Sequence, residues 1–207
     1  MATSTARRPA LIPTRPADSL AWMGPDLRLR LLPLGGAVLI VWLGGGRPSW
    51  LGLAAGRLDV QLAAGLGGGA ALFLAAGLVQ LALSGARGAL RVPASGGDAA
   101  LQGAYFALNA PVEEAFFRGL LQGGLTALLG PPVGLLAGTA GYVLYHRLGG
   151  WAWLDVAATG LAGVPLALAF WLLPGPASLL GVSVAHLGAT CGFLGPGPWL
   201  LRRLRLL

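Results

Sequence analysis

Four ionisable side chains of this 207-residue chain lie inside long apolar stretches. Its two glutamates, Glu113 and Glu114, are neighbours, and its two histidines are His146 and His186. Burying such groups costs free energy unless they meet polar partners, and at membrane depth they usually mark a functional site. Carboxylates and imidazoles are also the groups that most often transfer protons in catalysis. We therefore expect these four residues to meet in one buried polar site.

The two glutamates begin a Glu-Glu-x-x-x-Arg sequence that ends at Arg118. Residues four apart share a helix face, so Glu114 and Arg118 can form an ion pair. Glu113 points about 100° away from Glu114 and has no such partner on its helix. One guanidinium against two carboxylates leaves a charge unbalanced, which favours Glu113 as a general base. The alternative is a charge cluster that only locks helices together.

The two histidines differ in their positions within the apolar stretches. His146 follows Tyr142 by four residues near the end of a stretch, and taken alone it fits an interfacial residue better than a catalytic one. His186 lies in the middle of its stretch, four residues before Thr190. It is too deep to reach water easily, so a functional role is the better interpretation.

The composition indicates a membrane protein. The chain is 56% hydrophobic and 10% charged, with a mean hydropathy of +0.73, whereas a soluble domain carries roughly 25% charged residues. The formal net charge is +7, and all 14 basic residues are arginines. They flank apolar stretches, where they touch lipid headgroups. Because no basic stripe is interleaved with aromatic residues, we expect membrane lipids as partners and no nucleic acid.

The expected fold is all-α, a polytopic transmembrane helical bundle of about six spans. A polar N-terminal segment (1–30), interpreted as flexible or surface-bound, precedes a transmembrane domain (31–197) and a basic tail (198–207). The spans are judged against the roughly 20 residues that cross a bilayer. They cover about residues 31–45, 60–83, 99–129, 131–148, 151–173 and 176–194. The third is too long for one straight helix, and Pro111 is expected to break it.

Arginine placement predicts the orientation in a cell membrane. If the N-terminus is cytoplasmic, Arg47 and Arg57 lie outside and Arg118 lies within the membrane. All other arginines then face the cytoplasm, as the positive-inside rule requires. We therefore expect a multi-pass protein with both termini cytoplasmic and a cavity that opens toward the cytoplasm.

Three short motifs resemble those of the CPBP (ABI) family, the CAAX proteases and bacteriocin-processing proteins. Residues 109–119 resemble its first motif, Glu-Glu-x-x-x-Arg after Pro and before Gly. Residues 142–146 resemble the second, Phe-x-x-x-His, with Tyr142 in place of Phe. Residues 186–190 resemble the third, His-x-x-x-Asn or Asp, with Thr190 in the last place. The resemblance covers about residues 99–194 and points to a bacterial protein.

The resemblance implies an intramembrane endopeptidase similar to CAAX prenyl proteases, with a membrane-associated peptide as substrate. It assigns the site to the residues of the three motifs: Glu113, Glu114, Arg118, His146, His186 and Thr190. In this scheme Glu113 and His146 activate a water molecule, while His186 and Thr190 stabilise the oxyanion.

The same scheme leaves the cofactor open. Glu114 and Arg118 hold the arrangement, and the other groups suit either a metal-free glutamate protease or a zinc site. Two histidines and one glutamate form a known catalytic zinc set, so Glu113, His146 and His186 are the candidate ligands. Neither zinc nor the absence of a cofactor follows from the sequence.

Two further functions remain open. Thr190 removes an amide or carboxyl group from the family motif, which fits a catalytically weak or inactive member. Such a member would act as a membrane scaffold or bacteriocin-immunity protein. It would bind partner helices through its own Gly-rich faces, such as those at Gly119 and Gly188. An ion or proton transporter is the third interpretation, since Glu and His within spans also suit relays.

Overall fold

The computed structural model describes residues 9–45 and 51–207. Helices account for 79% of the described residues, so the all-α fold class is confirmed. Arg7, Arg8 and Arg47, which entered the orientation prediction, lie outside the described residues.

Helices follow one another along most of the described chain, with two short strands. In chain order the elements are β1 (Ala10–Thr14), α1 (Pro16–Leu43), α2 (Leu58–Arg87), β2 (Ala89–Pro93), α3 (Gly96–Glu114), a π-helix (Ala115–Gly123), α4 (Gly124–Leu129), α5 (Pro131–Leu148), α6 (Trp153–Leu172), α7 (Leu179–Phe193) and α8 (Pro196–Arg203).

Fewer helices than expected qualify as membrane spans. By length and composition, α2 and α6 can each cross a bilayer. The pair α7 and α8, bent by 45°, adds a third if it counts as one span. Within the described residues the structure thus supports two or three spans, and the count of six is not confirmed.

The described part of the N-terminal segment is folded, which corrects its interpretation as a flexible tail. β1 pairs in parallel with β2, with Ala10 opposite Ala89. The buried carboxylate of Asp98 in α3 accepts hydrogen bonds from Thr14 Oγ1 (2.6 Å) and Ser19 Oγ (2.7 Å). These contacts fix the start of α1, which then runs without interruption past residue 30.

The third predicted span is not broken at Pro111, so that prediction was wrong. α3 continues through Pro111 to Glu114 and then widens into the π-helix at Ala115. Proline removes one helical hydrogen bond, but helices in proteins are held mainly by their packing. Here α3 packs against α1 and α7, which offsets the missing bond.

Glycines allow α2 and α7 to pack at very short range. A Cβ atom added to Gly188 would lie 2.1 Å from the carbonyl oxygen of Gly69. One added to Gly65 would lie 3.0 Å from the carbonyl oxygen of Gly181. These small-residue positions are therefore used within the chain, where they place α7 and its polar residues against α2.

Candidate active site

Three helices present the candidate residues to one cavity of about 450 Å³. Glu113 comes from the end of α3, His146 from the end of α5, and His186 and Thr190 from α7. Glu113 and His186 are almost completely buried, at 4% and 2% exposure. The residues that lie far apart in the sequence thus surround one common space.

Glu114 lies behind the cavity wall at the centre of a buried charge network. Its Oε2 accepts a hydrogen bond from Arg118 Nε (3.1 Å), as the spacing predicts, and its Oε1 lies 2.7 Å from His186 Nδ1. The other guanidinium nitrogens of Arg118 donate to the carbonyl oxygens of Gly138 and Gly163, both at 3.1 Å. Both buried charges therefore have several polar partners, which a buried ion pair requires.

The contact with Glu114 determines how His186 is oriented. With Nδ1 held, Nε2 lies 3.5 Å from Glu113 Oε2 and 3.3 Å from the hydroxyl of Tyr142. The ring of Tyr142 also lies 4.9 Å from the guanidinium carbon of Arg118. A carboxylate on one ring nitrogen fixes the direction in which the other points, so Nε2 of His186 faces the cavity.

Glu113 is not the unpaired carboxylate that the sequence predicted. Asn109 Nδ2 donates to its Oε1 at 2.8 Å. Arg30 Nε, from α1, lies 2.8 Å from the same oxygen, although its N–H is not aligned for a hydrogen bond. Asn109 lies four residues before Glu113, a spacing that could have revealed it. No local pattern links Arg30 to this site.

His146 lies closer to the protein surface than His186. Its Nδ1 is 2.8 Å from the backbone carbonyl oxygen of Tyr142. Its ring packs edge-on against the rings of Tyr142 and Trp151, with centroids 4.9 and 4.8 Å away. When Nδ1 donates to that carbonyl, Nε2 keeps its lone pair and can accept a proton.

The rest of the cavity has two kinds of wall. One wall is apolar and comes from α2 and α6: Leu72, Ala75, Ala76, Val79, Ala158, Leu161 and Ala162. The other is polar and comes from β1, α1 and β2: Thr14, Asp18, Asp26, Arg30 and Arg91. The cavity therefore suits a ligand with one hydrocarbon part and one polar part.

The candidate metal ligands do not fit a metal site in this geometry. Among residues 9–45 and 51–207, no three His, Cys, Asp or Glu side chains form a group that could hold a metal ion. Glu113, His146 and His186 share the cavity. Because Glu114 faces Nδ1 of His186 and the carbonyl of Tyr142 faces Nδ1 of His146, the Nε2 atoms are the ones left for other partners.

The segment that carries these residues matches a known family. Residues 97–191 match the family model described as type II CAAX prenyl endopeptidase Rce1-like. This segment is an Rce1-like domain. The resemblance to the CPBP family is thereby confirmed, and family members are CAAX endopeptidases that are integral to membranes. No curated protein and no solved structure matches the chain.

The Rce1-like domain supplies every candidate catalytic residue but not the whole site. It extends from the start of α3 into α7. α1, with Arg30, and α2, with much of the apolar wall, lie outside the matched segment. The N-terminal half of the described chain therefore completes the cavity around the domain.

Proposed function

We propose that this chain is an intramembrane endopeptidase that cleaves a membrane-associated peptide. The observation that carries the proposal is the position of Glu113. Its Oε1 is held by Asn109 and Arg30, while its Oε2 faces His186 within the cavity that His146 also lines. A buried carboxylate with one oxygen free to accept a proton is what a general base requires.

The proposed reaction is the addition of water to a peptide carbonyl. Glu113 Oε2 takes a proton from a water molecule, aided by His146, while the water oxygen forms a bond to the carbonyl carbon. His186 is protonated on both ring nitrogens in this scheme, so that Nδ1–H donates to Glu114 while Nε2–H and the hydroxyl of Thr190 donate hydrogen bonds to the resulting oxyanion. When the tetrahedral species collapses, the C–N bond breaks and Glu113 returns its proton to the leaving amine.

Glu114, Arg118 and Tyr142 support this chemistry without contacting the peptide. Glu114 keeps the imidazole of His186 in one orientation, and Arg118 balances the charge of Glu114. In metal sites, removing a residue that orients a ligand typically lowers affinity or activity by about 10- to 100-fold. We expect a loss of similar size when a residue that orients His186 is removed.

The two walls of the cavity support a lipid-bearing peptide as substrate. The apolar wall from α2 and α6 offers a place for a hydrocarbon chain, and the polar wall offers partners for a peptide backbone. Asn109 Oδ1 is buried and has no partner among the described residues, so it can accept a hydrogen bond from a peptide N–H. A prenylated peptide, as in the family description, combines both parts.

The distribution of arginine supports a membrane orientation with both termini in the cytoplasm. Arg87 at the end of α2 pairs with Asp155, and Arg202 in α8 donates to the carbonyl oxygen of Ala94, so these segments share one end of the molecule. The arginines at this end are Arg15, Arg87, Arg91, Arg147, Arg202, Arg203 and Arg205. Arg57 caps the opposite end of α2. The positive-inside rule then places the richer end in the cytoplasm of a multi-pass protein.

A cleavage assay with a prenylated, internally quenched peptide and protein reconstituted in lipid tests the proposal. Glu113→Gln and His146→Ala are each expected to lower kcat by about 100-fold or more, since general-base catalysis contributes about that much. Asp59→Asn, in an exposed ion pair with Arg57, is the control and should cleave at the wild-type rate. Wild-type turnover in Glu113→Gln would refute the endopeptidase.

The alternative, a catalytically weak or inactive member acting as a scaffold or immunity protein, is motivated by Thr190 and by the reduced number of helices. The glycine faces that a scaffold would need for partner helices are already packed against other parts of this chain. A Cβ atom at Gly119 would lie 2.5 Å from the carbonyl oxygen of Leu51, and one at Gly188 would meet Gly69. A phenotype that survives Glu113→Gln in cells would support the scaffold over the peptidase.

A further inference from the structure

Arg30 is fixed by contacts to several side chains, although it lies in α1, outside the Rce1-like domain. Its guanidinium forms an ion pair with Asp26 one turn earlier, and its Nη1 lies 3.3 Å from the hydroxyl of Tyr105. Its Nε lies 2.8 Å from Glu113 Oε1, and the group is 5.7 Å from the centroid of the Tyr145 ring. The side chain is only 16% exposed.

These contacts distinguish the two oxygens of Glu113. Oε1 is held from two directions, by Arg30 and by Asn109, while Oε2 lies toward His186 and the cavity. Rotation of the carboxylate would break both contacts at Oε1. A general base must lie within hydrogen-bond reach of the proton that it removes, and a misplacement of about 1 Å can cost about 100-fold in rate.

We propose that Arg30 is a positioning residue for the reaction: it fixes Oε1 of Glu113 so that Oε2 receives the proton from water. This inference rests on the proposed endopeptidase function. Arg30 also supplies the second buried cation, so that Glu113 has a counter-charge as Glu114 has Arg118. The active site of the Rce1-like domain is thus completed by a helix that precedes the domain.

The kinetic test compares three substitutions in α1. Arg30→Met is expected to lower kcat by about 100-fold and to leave KM within about twofold of wild type, because the contact serves the reacting group and not substrate binding. Arg30→Lys should recover part of this loss, since a single ammonium can reach Glu113 but lacks the planar fork. Arg28→Met, on the exposed side of the same helix, is the matched control and should match wild type.

A stability test measures the contact independently of cleavage. The unfolding temperatures of Arg30→Met, Glu113→Gln and the double variant are compared with wild type. The double variant is expected to lose less than the sum of the single losses, because each single change leaves a buried group without its partner. Additive losses would show that the two residues do not interact and would overturn the inference.

The outcomes separate this inference from the proposed function. Full turnover in Arg30→Met, with loss in Glu113→Gln, overturns the role of Arg30 and leaves the endopeptidase intact. Full turnover in Glu113→Gln overturns the endopeptidase itself. If Arg30→Met does not fold, Tyr105→Phe removes one of the contacts that hold Arg30. It is expected to lower kcat by about 10-fold, and an unchanged kcat would also overturn the inference.

Discussion

Replacing Glu114 by glutamine is expected to destabilise the protein strongly, although it hardly changes the size of the side chain. Glu114 is completely buried and contacts Arg118 Nε at 3.1 Å and His186 Nδ1 at 2.7 Å. Glutamine leaves no cavity, so any loss of stability comes from the missing charge. Arg118 would keep its two backbone carbonyl partners but lose its counter-ion.

The size of this loss follows from the burial of the network. Removing one partner of a buried ion pair costs about 3–5 kcal/mol, because the other charge stays buried without compensation. Glutamine retains one carbonyl oxygen, which can still accept a hydrogen bond from either Arg118 or His186. Its amide NH2 group would then face the remaining one of these two residues, so that two donors would meet. The retained hydrogen bond places the expected loss near the lower limit, at about 3 kcal/mol.

The free energy of unfolding, followed by tryptophan fluorescence in detergent micelles against denaturant, measures this loss. Asp59→Asn is the control, because its ion pair with Arg57 is exposed and should contribute no measurable stability. The cleavage rate of Glu114→Gln should fall as well, since His186 loses the group that orients it. A variant within about 1 kcal/mol of wild type would show that the network is not held by charge.

Two further changes test the third motif and the helix packing. Thr190→Val removes the hydroxyl without changing the size of the side chain, and kcat for the quenched peptide should fall about 100- to 1000-fold if that hydroxyl donates to the oxyanion. An unchanged kcat would exclude that role. Gly188→Leu should destabilise the protein by about 3 kcal/mol or more, because its Cβ atom would meet Gly69 at 2.1 Å. Gly36→Leu is the control for Gly188→Leu, because a Cβ atom at Gly36 meets open space. Equal stability of the two variants in thermal unfolding would contradict the close packing of α2 and α7.

The part of the site that could be predicted follows from local spacing and from the cost of buried charge. The helix rule for residues four apart gives the ion pair of Glu114 with Arg118. The scarcity of Glu and His in an apolar chain indicates that Glu113, His146 and His186 share one space, as they do in this structure. Neither argument needs a knowledge of how the helices are arranged.

The part that could not be predicted depends on contacts between distant segments. Arg30 belongs by composition to a polar segment, and only the extension of α1 beside α3 brings it to Glu113. The pairing of β1 with β2 likewise joins residues far apart in the chain. At Pro111 a local rule gave the wrong answer, because the packing of α3 outweighs the preference of proline for a helix start.

Glu113 and Glu114 have different roles, which explains why both carboxylates are present. Glu114 is held by Arg118, which comes from the same stretch of the Rce1-like domain, and it is fully enclosed, so it serves to orient His186. Glu113 borders the cavity and forms its ion pair with Arg30 of α1. The contact with α1 therefore fixes Oε1, while Oε2 remains free to accept a proton. A carboxylate enclosed like Glu114 cannot meet a water molecule in the cavity, whereas Glu113 without Arg30 would keep only the contact with Asn109 to orient it. The proposed chemistry therefore depends on the docking of α1 as much as on the motif residues themselves.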